Sequence, residues 1–225
     1  MIFEKKASGF DDPVTAHEMR IFTRRETDIR PYRNKIFTYL ATGIEMGGNP
    51  VDFLKLALEV TPIPAEIPLD TVTAIKERDS FSTSIAECLD DLGIMRPFEL
   101  NVLHEAESLD RNLHNRESTD QAIRLIAKYH QWRSSNSSSS ELADLFSRMS
   151  ILSVFFPRPL ITDAIKEDPF LLQTFGKTSD PPRQPLWQSM ADLGISKFYI
   201  ALIKMAEAKG KLAKAFELLA DIEKE

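Results

Sequence analysis

Gly176-Lys177-Thr178 ends as a phosphate-binding loop ends, and His104-Glu105 begins as the helix of a zinc peptidase begins. Neither pattern completes. The loop needs a glycine at position 171, where this chain has Leu171, and without it the cradle of backbone amides does not form around a phosphate. The helix needs a second histidine four residues on, and Ser108 stands there, so no ligand pair exists. His17, His114 and His130 lie apart among polar neighbours, the setting of surface histidines rather than of a catalyst. Cys88 falls on an apolar helix face, which predicts an inert thiol. As the only cysteine it excludes an internal disulfide and fits a reducing compartment. Convergent Glu-x-x-His pairs of the kind that mark metal-carrying bundles are not visible. The expectation is a chain with no catalytic residue, no cofactor and no metal.

Composition narrows the class. The 225 residues are long enough for one large domain or two small ones. With 43% hydrophobic and 28% charged residues, the chain has the make-up of a folded globular protein. A net charge of −6 opposes the phosphate neutralisation that nucleic-acid binding requires. The start, Met1 to Ser8, turns polar too early for a signal peptide, so a cytoplasmic location is expected and the sequon at Asn136 has no glycosylation to meet. The longest apolar run, Ile151 to Phe156, is far short of the roughly 20 residues that cross a bilayer.

The elements that would carry any site read as helices throughout. Residues 1–30 form a polar arm in which Arg20, Arg24, Arg25 and Arg30 alternate with Glu18, Glu26 and Asp28. It reads as a solvated helix laced with ion pairs, or as a docking arm for an acidic partner or anionic lipid. From Pro31, Ile36, Phe37, Leu40 and Ile44 share one helical face, until Gly47-Gly48-Asn49-Pro50 stops it. Pro50 opens a second helix with Phe53, Leu54, Ala57 and Leu58 inward, and Val72 and Ile75 mark a short third. Ser80 is placed to cap a fourth carrying Phe81, Ile85, Cys88 and Leu89 to Gly93. A fifth starts at Pro97, and Ser118 or Thr119 caps a sixth with Ala122, Ile123, Ile126 and Tyr129 buried. Trp132 and Trp187 flank loops as core lids or partner anchors. No stretch alternates with period two, so strands are not expected.

The pattern then repeats. Asp91-Leu92-Gly93-Ile94 returns as Asp192-Leu193-Gly194-Ile195, 101 residues later. Phe98, Leu100, Leu103, Ala106 and Glu107 return as Phe198, Ile200, Ile203, Ala206 and Glu207 at a spacing of 100, and Ala122 to Ala127 as Ala215 to Ala220 at 93. The first copy therefore has seven extra residues in the turn around His114 to Glu117, where insertions are tolerated. Shared apolar spacing alone would not repeat Asp-Leu-Gly-Ile or the glutamate. The expected architecture is all-α: two tandem antiparallel bundles of about six helices, at 31–133 and 141–225, joined by a Ser-rich linker at 134–140.

The second copy ends in Ala206-Glu207-Ala208-Lys209-Gly210-Lys211-Leu212 followed by Ala215 to Ala220; the first has Ala106-Glu107-Ser108-Leu109-Asp110, with Asp110 where glycine is expected and Leu113 after it. On these residues, and on Leu40 to Gly47, each copy resembles the cytoplasmic domain of the type II secretion F family. Those are the inner-membrane platform proteins of type II secretion systems and type IV pilus assembly. The likeness covers residues 33–225 and rests on a short, mostly apolar motif. It implies a non-catalytic scaffold that self-associates and contacts a cytoplasmic assembly ATPase and inner-membrane pilus or secretion components. Members of the family place membrane-spanning helices after each cytoplasmic domain, and here the serine run sits where the first would be. The resemblance thus implies a relative without a membrane span, peripheral at the inner membrane, or an accessory factor of such a machine. The motif also has a plain physical reading: Gly210 ends a helix in the left-handed conformation and Leu212 returns the chain to the core. Glu107 and Glu207 pair with a basic residue or accept backbone hydrogen bonds at the following helix, or else form carboxylates facing a partner or cation. A generic helical adaptor and a small-ligand regulator are the alternative functions.

Overall fold

A computed structural model describes residues 13–135, 140–156, 161, 185–192 and 194–224, with side chains from Ile29 onward except those of Ser189 and Asp192. The described residues form ten α-helices and no strand: α1 Pro13–Glu45, α2 Pro50–Val60, α3 Leu69–Glu77, α4 Ile85–Asp91, α5 Pro97–Leu113, α6 Glu117–Ser135, α7 Glu141–Phe155, α8 Leu186–Asp192, α9 Lys197–Ala208 and α10 Leu212–Lys224. None of these helices is long and apolar enough to cross a membrane. The chain is all-α over this extent.

Local chemistry sets most boundaries. Asn49 accepts the Val51 N–H at 2.9 Å with Pro50 in the first turn, so α2 starts where a missing proline N–H costs nothing. Pro97 does the same for α5, where the Glu99 carboxylate reaches back to the Arg96 N–H at 2.9 Å. Ser140 and Ser196 cap α7 and α9.

Three boundaries differ from the sequence reading. α1 begins at Pro13 rather than Pro31 and carries Pro31 inside it, so the arm and the first core helix are one element. α4 is capped by Ser84, whose hydroxyl accepts the Glu87 N–H at 3.1 Å; Ser80 lies upstream, and Phe81 is 91% exposed. α6 begins at Glu117, and Ser118 and Thr119 lie within its first turn instead of capping it.

The core runs through all the elements. α1 packs along α6 and α2, α5 along α6 and α4, α7 most extensively along α10, and α9 along α8 and α10. α7 also lies against α5 and α6, so the helix that follows the serine run is seated on the hairpin that precedes it. Phe37, Phe98, Phe146 and Phe216 are fully buried, and Phe146 stacks on Phe216 at 6.1 Å. Close packing of α1 on α2 depends on Gly43, where a Cβ would lie 2.1 Å from the Phe53 ring. Phe53 is therefore partly covered at that crossing rather than deep in the core.

Within the serine run, Ser134 and Ser135 belong to α6 and donate back to the Gln131 carbonyl at 2.8 and 3.0 Å. Residues 136–139 lie outside the described residues, as do Leu171 and Gly176-Lys177-Thr178.

Candidate functional site

Glu107 projects from α5 onto the start of α4. Its Oε1 accepts the backbone N–H of Ile85 at 2.7 Å and of Ala86 at 3.3 Å, and its Oε2 accepts the Ser84 hydroxyl at 2.5 Å. These amides open a helix and have no partner inside it, so a carboxylate satisfies both their hydrogen bonding and the positive end of the helix dipole. Glu207 stands on α9 in the same relation to α8, accepting the Leu186 N–H at 3.2 Å. In each case the helix served precedes the glutamate in the chain, not follows it. α4 and α8 then each run into a glycine with positive φ, Gly93 at 62° and Gly194 at 74°.

The motif ends differently in the two halves. Gly210 has φ 64°, the Lys211 N–H bonds to the Ala206 carbonyl at 2.8 Å, and Leu212 enters the core. In the first half Asp110 occupies the glycine's place. There α5 continues another turn and reverses at His114, φ 53°, leaving Leu113 exposed. Asp110 accepts the N–H groups of Ser118 and Thr119, each at 2.8 Å, and so starts α6. Burial alone would raise its pKa, yet these donors hold it below the ordinary carboxylate value.

The densest constellation of ionisable groups is one the sequence reading missed. Tyr129 of α6 lies under α7: its hydroxyl donates to Asp144 Oδ1 at 2.7 Å and accepts from Arg96 Nη1 at 2.7 Å and Arg148 Nε at 3.1 Å. Arg148 and Arg133 pair with Asp144 at 3.0 and 3.1 Å, and the Arg148 guanidinium lies 5.1 Å from the Phe98 ring centre. Beside it, His130 Nε2 meets Glu99 Oε1 at 3.1 Å, and Arg33 donates to the Ile94 carbonyl. Arg33, Arg96, Glu99, Tyr129, His130, Asp144 and Arg148 are all buried. His130 thus belongs to the core and not to the surface, because its imidazole has both a carboxylate partner and the Phe37 ring 5.2 Å away. Burial lowers its pKa, only partly countered by Glu99. Burial would raise the Glu99 pKa, but His130, Arg33 and Arg96 hold it well below the carboxylate range. Closed from solvent, these groups tie α1, α5, α6 and α7 together. The available signal was polar residues at core positions of apolar helices, as with Asp144 and Arg148 on either side of Leu145 and Phe146.

The remaining candidates scatter. Burial pushes the Cys88 thiol up, with Arg78 Nη1 3.6 Å from its sulfur partly opposing that. Trp132 and Trp187 pack partly against the core, with Lys224 5.0 Å and Lys204 4.6 Å from their ring centres. Arg30 is half-buried and partnered, whereas the side chains of Arg20, Arg24 and Arg25 lie outside the described residues. A groove of about 380 Å³ runs between α6, α7 and α10, lined by Leu125, Trp132, Val154 and Lys214. Among the described residues, no three His, Cys, Asp or Glu side chains gather as a metal site would need. No protein-family model, curated protein or solved structure matches the chain.

Proposed function

We propose that this chain is a protein-interaction scaffold of two tandem copies of one helical module, 31–133 and 141–225, meeting at 134–140. It serves as a platform component of type II secretion or type IV pilus assembly, contacting an assembly ATPase and inner-membrane components. The observation that carries the reading is the matched work of Glu107 and Glu207, each fastening the N-terminus of the helix that leads into a glycine turn. A second match supports it. Positions 99 and 130 pair as Glu99 with His130, and their counterparts pair as Tyr199 with Glu223. Keeping a pairing while changing its chemistry is what divergence of a duplicated unit produces. Partner-facing side chains fit the reading too: Phe81, Leu69 and Met46 are large, apolar and mostly exposed. Affinity capture of the tagged protein from detergent-solubilised source cells tests it. Co-purification of an assembly ATPase with pilus or secretion membrane proteins is the expected result, and recovery without any of them overturns the secretion role. Reversing charge at Arg24 and Arg25 is expected to weaken that capture while helical circular dichroism stays unchanged; equal capture removes the docking arm.

A further inference from the structure

We infer that the cleft between the starts of α4 and α6, walled by the last turn of α5, docks an acidic segment of a partner protein that carries aromatic or aliphatic side chains among its carboxylates. The inference rests on the scaffold reading for the kind of occupant, a protein, and gives that scaffold a contact surface in its first half.

The cleft exists where the first half departs from the second. Gly210 turns the chain after α9, but Asp110 lets α5 run on. The added turn and the bend at His114 set Arg111, His114 and Arg116 along one side of a cavity of about 470 Å³. Ser80 to Ser84 form the facing side, and Pro50, Val51 and Ile85 supply apolar surface between the two. Phe81 stands on the rim, 91% exposed, on a backbone that is held in place. Asn49 donates to the Ser80 carbonyl at 3.0 Å, Lys55 to the Ser80 hydroxyl at 2.9 Å, and the Ser82 N–H to Asp79 at 3.2 Å, so the chain is pinned on both sides of the ring. A fixed aromatic ring beside arginines is the composition of an interface centre. Covering it takes a chain that runs over the rim rather than a small ligand seated within.

Charge selects the occupant. Two of the three carboxylates that line the cleft are spent on the protein itself: Glu107 on the Ile85 and Ala86 amides and Asp110 on those of Ser118 and Thr119. Glu87, exposed, is the third. Among the described residues Arg111 and His114 enter no ion pair, and Arg116 shares the field of Asp120 with Arg124. On a chain of net charge −6 this is a local cationic surface, which attracts an acidic segment and repels a basic one. In the groove between α6, α7 and α10, by contrast, Lys214 and Lys224 are already paired with Glu217 and Asp221.

Fluorescence anisotropy with the purified full-length protein tests this. The probes are short fluorescein-labelled peptides in which Glu and Asp alternate with Phe and Leu, the same peptides with Lys in place of the acids, and again with Ser in place of Phe and Leu. The first set is expected to bind, less tightly as salt rises, and both control sets to bind about tenfold worse or more. Arg111→Glu and Phe81→Ser are each expected to weaken binding of the first set about tenfold or more with helical circular dichroism retained. Arg111→Ser gives the same reading should the charge perturb folding, and Lys209→Glu, at the corresponding turn of the second half, is expected to leave binding intact. No binding by the first set, equal binding by the Lys set, or binding indifferent to the Arg111 and Phe81 substitutions overturns the inference. Co-sedimentation with phosphatidylglycerol vesicles that is lost in Arg111→Glu would make the cleft a lipid headgroup site and overturn it as well. Failed capture of the ATPase and membrane components with the peptide still bound removes the secretion role and keeps the site.

Discussion

At the scale of single residues, His130 is the group whose environment departs furthest from what its sequence neighbours imply. It is flanked by Tyr129 and Gln131, yet packs between Phe37 and Glu99 in the core. Burial lowers its pKa below the ordinary 6.5, so in the folded protein it stays neutral at a pH where the unfolded chain binds a proton. Stability is then lost as pH falls through about 6.5, because protons favour the unfolded state. Glu99 adds a second loss below the ordinary carboxylate value of 4.5, since its depressed pKa keeps it ionised when folded. Thermal melts from pH 7.5 to 5 are expected to show a falling Tm in the wild type. In His130→Gln, which keeps an N–H donor toward Glu99 but does not titrate, a flatter profile over that range is expected; an equal slope would assign the pH dependence elsewhere.

Among the elements, the short helices α4 and α8 depend on a carboxylate delivered from another helix. Seven residues are too few to hold a helix by propensity alone, so the capping bonds from Glu107 and Glu207 carry much of the burden. Glu107→Ala leaves the Ile85 and Ala86 amides and the Ser84 hydroxyl without their carboxylate acceptor. Its cost is expected to be about 2 kcal/mol, a fall of roughly 4–8 °C in Tm. Glu207→Ala is expected to move in the same direction through α8. Calorimetry of both variants checks this, and a loss confined to one of them would count against equivalent roles. Glutamate was legible in the sequence as a repeated residue. Its target was not, because Ile85 lies 22 residues upstream and only the packing of α5 on α4 brings the two together.

On the scale of the whole molecule, the seating of α7 on α5 and α6 joins the residues before the serine run to those after it. The Tyr129 hydroxyl is the hub, touching Arg96, Asp144 and Arg148 at once. Tyr129→Phe keeps the ring against Phe98 but strips two arginines and an aspartate of a buried partner, a loss expected to cost about 2–3 kcal/mol. Urea unfolding of the wild type is expected to follow one transition by both tryptophan fluorescence and circular dichroism. In Tyr129→Phe the midpoint is expected to fall, with faster amide exchange in α7. Separate transitions for the two halves in the wild type would contradict the coupling.

The amino-acid order by itself determined the helical class, the proline starts of α2 and α5, the left-handed turn at Gly210 and the recurrence of Asp-Leu-Gly-Ile. These depend on residues within a turn or two of one another, where capping and backbone sterics act. Only the tertiary structure decided that Pro31 sits inside a long helix, that Asp110 starts α6 in place of a glycine turn, and that His130 and Tyr129 are interior. The same holds for the difference between Phe98, covered, and Phe198, open, which are alike in sequence. Burial is a property of what arrives from elsewhere in the chain; here α7, which starts 43 residues beyond Phe98, lays the Arg148 guanidinium over the Phe98 ring.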